Sequence, residues 1–154
     1  METKVFIIDT KVGRSRIHGV GCFTAGALEA GRTVWVLDPR IDLVLTASDV
    51  LAMPPAMQIF LARYASKDFG KDRYVYCSDN ARFINHSGTP NLVHNAPVSA
   101  TEIVTNRNIA PGEELTLNYD FVDDPSEPDN VLARIAAEFG ETDYLDPRVK
   151  DRKP

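Results

Sequence analysis

The chain has 154 residues, 44% of them hydrophobic and 25% charged, which is the composition of one globular domain that can bury a core without disulfide or metal staples. A formal net charge of -5 argues against a protein that binds duplex DNA, since such proteins normally carry a basic face, and is compatible with a basic protein or peptide as partner. No apolar run is long enough to cross a membrane, and METKVFIIDT lacks a cleavable signal pattern, so we expect a cytoplasmic protein, or a nuclear one if it acts on a target in a eukaryotic host, that is not secreted.

Short strands dominate the start of the chain. KVFIIDT (4–10) is apolar except at its ends, and GRTVWVLD (31–38) is rich in β-branched and aromatic residues. Between them, KVGRSRIHGVGCFTA (11–25) predicts a glycine-containing turn that runs into a second strand. The two cysteines, Cys22 and Cys77, are too few for a disulfide framework or a zinc cage, and we expect reduced, partly buried thiols.

A helix is predicted from Pro55 to Ala65, because Pro55 suits the first helical position and one face is apolar or amphipathic. That face carries Met57, Phe60, Leu61 and Tyr64. More short strands follow, separated by turn residues, at 72–79, 91–95, 101–107 and 114–121. Since the strands do not alternate with helices, as a parallel α/β sheet would require, the predicted fold class is mostly β with a few helices.

The C-terminal segment differs in composition from the rest. DDPSEPDN (123–130) is acidic and contains proline, and VLARIAAEFG has apolar residues at helical spacing, which predicts a helix from Asn130 to Phe139. Ser126 or Asp129 could cap this helix, Gly140 could end it, and a loose tail follows. The acidic run is either a solvated linker or a surface that attracts a basic segment.

Three segments carry glycine or polar residues in unusual places. HGVG (18–21) is either a tight turn or a close backbone approach to a ligand, and it lacks the third glycine and the helix of a dinucleotide fingerprint. RFINHSGTPN (82–91) brings an amide, an imidazole and a hydroxyl to the edge of a buried stretch, where each needs a partner in the turn or in a ligand. Glu113-Glu114 resembles a solvated charged turn, and Tyr119 an edge residue with its hydroxyl in water.

Taken in order, SRIHGVGCFTA (15–25), ARFINHSGTPN (81–91) and RNIAPGEELTLNYDF (107–121) resemble the motifs of the SET-domain protein lysine methyltransferases. The resemblance implies a SET-domain (β-clip-like) fold of small sheets, in which the segment ending in Tyr119 passes a loop near Asn85-His86 in a knot-like crossing. We therefore expect a SET domain over residues 1–121. Residues 122–154 are expected to form an acidic linker, a C-terminal helix and a tail that pack on or near the active site.

The resemblance also implies an activity. It is transfer of a methyl group from S-adenosylmethionine to a lysine side-chain amine of a protein, with S-adenosylhomocysteine as product and no metal. Tyr119 matches the family's catalytic tyrosine, beside the transferred methyl. The implied cofactor-binding residues form a backbone turn and a wall, and they are His18, Gly19, Val20, Gly21, Arg82, Phe83, Asn85 and His86. The implied partner is a lysine-containing, basic protein, with no direct nucleic acid binding and no membrane.

The substrate side is less specific. By the same resemblance, three tyrosines are candidates to line a lysine channel: Tyr64, Tyr74 and Tyr76. Core or edge packing is an equal alternative for each of them. Leu117 stands where many relatives carry Phe or Tyr that tunes how many methyls fit. Gly88 replaces a frequent cysteine, and the zinc-binding cysteine cluster that ends many members is missing, so a catalytically silent SET-fold module that binds proteins is the alternative function.

Overall fold

The computed structural model describes residues 5–68, 71–96, 99–119 and 129–139. These residues form four small sheets, three α-helices and a 3₁₀ turn at Asn80–Phe83. The helices are α1 (Ala47–Ala52), α2 (Pro55–Tyr64) and α3 (Val131–Glu138). The strands are β1 (Val5–Phe6), β2 (Thr10–Arg14), β3 (Val20–Thr24), β4 (Thr33–Val36), β5 (Leu43–Leu45), β6 (Ala65–Lys67), β7 (Tyr74–Tyr76), β8 (Asn85–His86), β9 (Leu92–Ala96), β10 (Ser99–Thr105) and β11 (Thr116–Leu117). The predicted fold class is confirmed. Within the described ranges, no helix is both long and apolar enough to span a membrane.

The first core lies on an antiparallel sheet in the order β1-β4-β10-β9. β4 supplies the buried Val34 and Trp35, and β10 supplies Ile103, which lies opposite Trp35. Leu117 of β11 packs in the same cluster, and Tyr119 packs against it from a half-buried position. The segment that leads to Tyr119 is therefore fixed by apolar burial, at about 1.5–3 kcal/mol for each fully buried large side chain.

A second core lies where the sheet β5-β7-β6 meets the three helices. Each helix contributes buried side chains to it, and the set is Leu45, Val50, Leu61, Ala65, Tyr74, Val131, Leu132 and Ile135. α3 packs against α2, α1 and β6. The C-terminal helix therefore belongs to the core of the segment that precedes the RFINH motif in sequence.

Both predicted helices are present, with small differences at their ends. α2 stops at Tyr64 because Ala65 already begins β6. α3 is capped by Asn130, whose side-chain oxygen accepts from the backbone N–H groups of the second and third helical residues. The predicted cap at Asp129 was therefore wrong, and Ser126 and Gly140 lie outside the described residues.

Helix α1 was not predicted from the sequence, although it carries a start signal. Thr46 accepts a hydrogen bond from the Asp49 backbone N–H at 3.2 Å, and the Asp49 carboxylate accepts one from the Thr46 N–H at 2.8 Å. This reciprocal pair is a capping box, encoded as T-x-x-D. Because the helix has only six residues, its apolar periodicity is too short to be recognised.

Several predicted strands are shorter than their apolar runs. Segment 4–10 gives only β1 and the first residue of β2, segment 72–79 gives only β7, and segment 114–121 gives only β11, with residues 120–121 outside the described ranges. The chain changes hydrogen-bonding partner within the runs, since β1 pairs with β4 while β2 pairs with β3. Local propensity predicts an extended chain but not such a change of partner.

β8 and β11 are distant in sequence and pair in parallel. Asn85 lies opposite Thr116 and His86 opposite Leu117, and the Ser87 N–H continues the pairing by donating to the Leu117 carbonyl at 2.9 Å. The predicted approach of the segment before Tyr119 to Asn85-His86 is therefore found. The threading of that segment through a loop stays a prediction.

His94 is half-buried, and both nitrogens of its ring lie out of contact with solvent. It lies on β9 opposite Ile103, and neither ring nitrogen has a partner with good hydrogen-bond geometry among the described residues. Burial lowers the pKa of His94, while the Asp68 carboxylate and the Glu102 backbone oppose the shift. The unfolded chain therefore takes up a proton below about pH 6.5 more readily than the folded protein does. The stability that depends on neutral His94 is complete above that pH and is lost as the pH falls.

Replacing His94 by leucine is expected to raise the free energy of unfolding and to reduce its dependence on pH. The change removes unpaired buried nitrogens, which cost about 1–3 kcal/mol of stability. It also removes the protonation of this side chain in the unfolded chain, which is the source of the pH dependence. Urea unfolding of both proteins near pH 7.5 and near pH 5 measures both effects. An equal loss of stability on acidification in the two proteins would contradict this explanation.

Candidate functional site

The three segments singled out in the sequence meet at the side chain of Asn85. This side chain is 7% exposed, and its NH2 group donates to the carbonyls of His18 at 3.0 Å and Val20 at 3.1 Å. The same NH2 group donates to the Glu114 carboxylate at 2.9 Å. One amide therefore joins the glycine turn, the RFINH segment and the GEEL segment.

The turn between β2 and β3 is built by Ser15 and Gly19. The Ser15 N–H donates to the Gly19 carbonyl at 2.9 Å, and the Ser15 hydroxyl accepts from the N–H groups of Ile17 at 2.9 Å and His18 at 3.2 Å. Gly19 has φ 45°, in the left-handed region that favours glycine. Nothing lies within 4 Å of where a Cβ of Gly19 would be, so the turn presents its backbone to open space. It is both a tight turn and a backbone that a ligand can approach.

Tyr119 is held against β8 at both its backbone and its hydroxyl. Its N–H donates to Nδ1 of His86 at 3.1 Å, and its hydroxyl donates to the Ile84 carbonyl. The His86 and Tyr119 rings meet edge to face with centroids 5.4 Å apart. Since Nδ1 of His86 accepts a hydrogen bond, the ring proton is assigned to Nε2. The Tyr119 hydroxyl therefore has a partner in the protein, the backbone carbonyl of the residue that precedes Asn85.

Arg82 and Phe83 lie on the 3₁₀ turn that leads into β8. Asp79 caps this turn by accepting from the Ala81 N–H at 2.9 Å, and its other oxygen accepts from the Phe6 N–H at 3.1 Å. The Arg82 guanidinium lies over the Phe83 ring, 4.6 Å from its centroid, and donates to the Tyr76 hydroxyl at 2.6 Å. These contacts fix the Arg82 side chain at the end of the turn that leads to Asn85.

The three candidate channel tyrosines separate into two groups. Tyr64 and Tyr76 both pack on Phe60, with ring centroids 5.0 Å and 5.4 Å away, and Tyr76 also bonds Arg82. Tyr74 is 1% exposed, and its hydroxyl donates to the Asp129 carbonyl at 2.8 Å and accepts from the Val131 N–H at 3.2 Å. Tyr74 therefore anchors the start of α3 in the second core. Leu117 is buried in the first core.

Two residues that organise this site were not predicted to do so. Glu114 was expected to lie in a solvated turn, yet it is half-buried and bound to Asn85, whereas its neighbour Glu113 does pair with the exposed Arg107. Asn91, 2% exposed, donates to the Glu114 carbonyl at 2.7 Å and accepts from the Thr116 N–H at 2.9 Å, so its amide acts as a strand partner for β11. Glu114 lies in GEEL (112–115), and Asn91 is the last residue of RFINHSGTPN (82–91). Membership of these motifs is the sequence feature that could have identified both residues.

Carboxylates and both thiols lie around Asp79, the residue that caps the 3₁₀ turn. Burial raises the pKa of Asp42, and the neighbouring Asp79 and Asp38 add to the shift while backbone N–H groups oppose it. Burial raises the pKa of the Cys22 thiol to about 12 and also raises the pKa of the Cys77 thiol, so both are protonated at neutral pH. No set of three or more ligating side chains in the described ranges could hold a metal ion.

Comparison with family models gives a domain-level match. A family model described as the SET domain matches residues 19–120. A curated relative, Histone-lysine N-methyltransferase TRX1 of Oryza sativa subsp. japonica, is 31% identical over 126 residues. This alignment takes in 71% of the chain and 11% of the rice protein, so the chain spans about a tenth of that relative's length.

Solved structures resemble the fold at low sequence identity. A protein of Plasmodium falciparum, described as a candidate histone methyltransferase, aligns with a TM-score of 0.50 at 16% identity, over 77% of this chain and 95% of its own. An apo PRC2 chain, from an assembly mutated in Ezh2, aligns with a TM-score of 0.57 at 17% identity, over 76% of this chain and 16% of its own. At such identities the likeness concerns the fold.

Proposed function

The chain belongs to the SET domain family, and on that premise we propose that it is an S-adenosylmethionine-dependent protein lysine N-methyltransferase. The observation that carries this proposal is the junction at Asn85. There the glycine turn, β8 and the segment ending in Tyr119 are joined by hydrogen bonds between residues far apart in sequence. A scaffold has no need to bring an amide, an imidazole and a phenol together beside an open backbone turn.

The polar groups at this junction fit the chemistry of S-adenosylmethionine, which carries an ammonium, a carboxylate, hydroxyls and an adenine. Asn85 uses only its NH2 group in its bonds to the described residues, so its oxygen can accept from an ammonium or an N–H. The Nε2–H of His86 has no partner there and can donate. The cofactor would meet backbone groups of the glycine turn, which are those of His18, Gly19, Val20 and Gly21. It would also meet the Phe83 ring and the Arg82 guanidinium that lies over it.

Bound S-adenosylmethionine supplies a methyl group that is already electrophilic, so the work left to the protein is to prepare and aim the amine. A lysine amine has a pKa of about 10.4 and is protonated at neutral pH. A narrow, dry channel disfavours the ammonium form of the lysine, and so does the positive charge of a nearby sulfonium. Both effects lower the pKa of the amine. Alignment of amine and methyl then provides the catalytic advantage.

Tyr119 is the residue we assign to that alignment. Its single hydroxyl proton is given to the Ile84 carbonyl, so towards a ligand the phenolic oxygen can act only as an acceptor. Donating to a carbonyl also makes that oxygen a stronger acceptor. It could therefore hold the amine by an N–H···O bond or the methyl by weak C–H···O contacts.

For the substrate we propose a lysine in a basic protein, reached in the cytoplasm or the nucleus. The net charge of -5 favours association with a basic partner. The rice relative is named a histone-lysine methyltransferase, which supports lysine as the acceptor. Tyr64, Tyr76 and Leu117 remain the proposed channel residues, while Tyr74 is left out because α3 uses its hydroxyl.

The proposal is tested by incubating the protein with methyl-labelled S-adenosylmethionine and panels of histones, ribosomal proteins and DNA-packaging proteins. We expect label on lysine side chains, located by mass spectrometry, and inhibition by S-adenosylhomocysteine. Calorimetry with the cofactor distinguishes the alternatives. Binding without transfer to any panel would favour the silent protein-binding module, and absence of binding would contradict the proposal.

Replacing Tyr76 by phenylalanine is expected to weaken cofactor binding about threefold to tenfold, because the hydroxyl that orients the Arg82 guanidinium is lost. Tyr64→Phe is the matched control. Tyr64 packs on the same Phe60 ring, and its hydroxyl makes no hydrogen bond within the described part of the chain. Calorimetric Kd values for S-adenosylhomocysteine measure the difference, and equal Kd values for the two variants would contradict it.

A further inference from the structure

The Glu114 carboxylate is the acceptor at which the hairpin and β8 converge. Oε1 accepts from the Ser15 hydroxyl at 2.8 Å and from the Asn85 NH2 group at 2.9 Å, and Oε2 accepts from the same hydroxyl at 2.9 Å. Glu113, one residue earlier, bonds Arg107 and the Ala110 N–H at the surface. Two adjacent glutamates of one turn thus have different surroundings, and only one is bound to the predicted site.

The Glu114 carboxylate supports the orientation of the Asn85 amide, together with the carbonyls of His18 and Val20. Carboxylate oxygens accept and do not donate, so the end of the amide that faces Glu114 must be the NH2 group. The same NH2 group then reaches the carbonyls of His18 and Val20, so these bonds leave the Asn85 oxygen unused. Without the carboxylate, the amide loses one of the three acceptors that fix this orientation.

The hairpin is shaped to admit this carboxylate. A Cβ placed on Gly21 would lie 2.3 Å from Oε1 of Glu114, 2.8 Å from its Cδ and 3.1 Å from the Ser15 Cβ. The first two separations are too short for real contacts, so any side chain at position 21 would displace Glu114. The second glycine of HGVG is therefore required by Glu114, whereas Gly19 is required by its left-handed backbone.

Ser15 carries the effect of Glu114 into the turn itself. Its hydroxyl gives its proton to the carboxylate and accepts from the N–H groups of Ile17 and His18. The charged acceptor strengthens this chain of bonds, because hydrogen bonds to an ionised group are the stronger kind. The path from Glu114 through Ser15 ends in the backbone of His18, which Asn85 holds from the other side.

We propose that Glu114 is a positioning residue for the cofactor turn, acting through Asn85 and Ser15 and touching neither the methyl nor the amine. This inference rests on the proposed function, since it concerns the same site. Its consequence is a specific kinetic pattern. Loss of the carboxylate should weaken cofactor binding while turnover at saturating cofactor is largely kept.

The test compares Glu114→Ala with Glu113→Ala. The second change also removes a glutamate carboxylate, but from the neighbouring residue. We expect Glu114→Ala to raise the Kd for S-adenosylhomocysteine about tenfold or more, with kcat at saturating cofactor within about threefold of wild type. Glu113→Ala should leave Kd within about twofold, because an exposed ion pair contributes little. Glu114→Gln, which keeps one oxygen, should fall between wild type and Glu114→Ala.

A double-mutant cycle with Gly21→Ala adds a readout that general destabilisation would not move. In the wild-type background the new methyl group displaces the Glu114 carboxylate, whereas in Glu114→Ala that clash is absent. The two changes should therefore raise Kd by clearly less in combination than the product of their separate effects. Independent, multiplicative effects would overturn the proposal.

The remaining outcomes are equally decisive. An unchanged Kd in Glu114→Ala, or a loss of kcat without a change in Kd, would overturn the positioning role. If Glu114→Ala does not fold, Ser15→Ala decides, since a raised Kd supports the proposal and an unchanged Kd overturns it. Failure of the wild-type protein to bind cofactor would instead remove the proposed function, and the inference with it.

Discussion

Replacing Tyr119 by phenylalanine is expected to lower kcat for methyl transfer by about 100-fold or more, with the cofactor Kd within about threefold of wild type. The phenolic oxygen is the acceptor we assign to the amine and the methyl, and a misalignment of about 1 Å in such a reaction costs about 100-fold. The ring itself stays, with its edge contact to His86 and its backbone bond to Nδ1. Transfer of labelled methyl to the best substrate of the panel, at saturating cofactor, is the measurement.

The stability of the Tyr119→Phe variant must be measured as well, because the Ile84 carbonyl loses its donor. That loss should cost about 1 kcal/mol, which leaves the protein folded under assay conditions. A variant that is folded, binds S-adenosylhomocysteine normally and transfers methyl at the wild-type rate would contradict the role of Tyr119. If Tyr119→Phe instead loses cofactor binding, the Tyr119 hydroxyl acts in binding the cofactor and not in aligning the amine with the methyl.

The approach of the segment before Tyr119 to the RFINH segment was expected from the family resemblance, and the polar residues of RFINHSGTPN indicated independently that this stretch needs hydrogen-bond partners. Asn85 and His86 follow an apolar pair at the edge of the core, and buried amides and imidazoles must find hydrogen bonds. The motifs follow one another in the order that the family shows. The parallel pairing of β8 with β11 agrees with the approach of the two segments that the resemblance implies. The fold class followed from short strands that do not alternate with helices.

The position of individual groups within the site could not be predicted in the same way. Glu113 and Glu114 are identical residues in one turn, and only the tertiary fold places one against Asn85 and the other against Arg107. Tyr74 and Tyr76 stand two apart on β7, yet one hydroxyl binds the start of α3 and the other binds Arg82. Such distinctions depend on contacts between residues distant in sequence, which local pattern does not contain.

Replacing Leu132 by alanine is expected to lower the free energy of unfolding by about 2–5 kcal/mol, because this side chain is 2% exposed in the second core. Arg134→Ala is the matched control on the same helix. Arg134 is exposed, so its loss should change stability by less than about 0.5 kcal/mol. Urea unfolding of both variants measures the effect, and similar midpoints would show that α3 contributes little to this core.

The same pair of variants tests the expectation that the C-terminal part packs on or near the active site. α3 is fastened by Tyr74 to β7, and β7 also carries Tyr76, one of the proposed channel residues. A loosened helix should therefore raise KM for the protein substrate in Leu132→Ala at a temperature where the variant is folded. The Kd for S-adenosylhomocysteine should change less than KM, because β7 reaches the proposed cofactor wall through the Tyr76–Arg82 hydrogen bond, whereas the turn at 15–21 is held by Asn85 and Glu114. An unchanged KM in a variant that has lost stability would limit α3 to a structural role, since the helix would then support β7 without shaping the lysine channel.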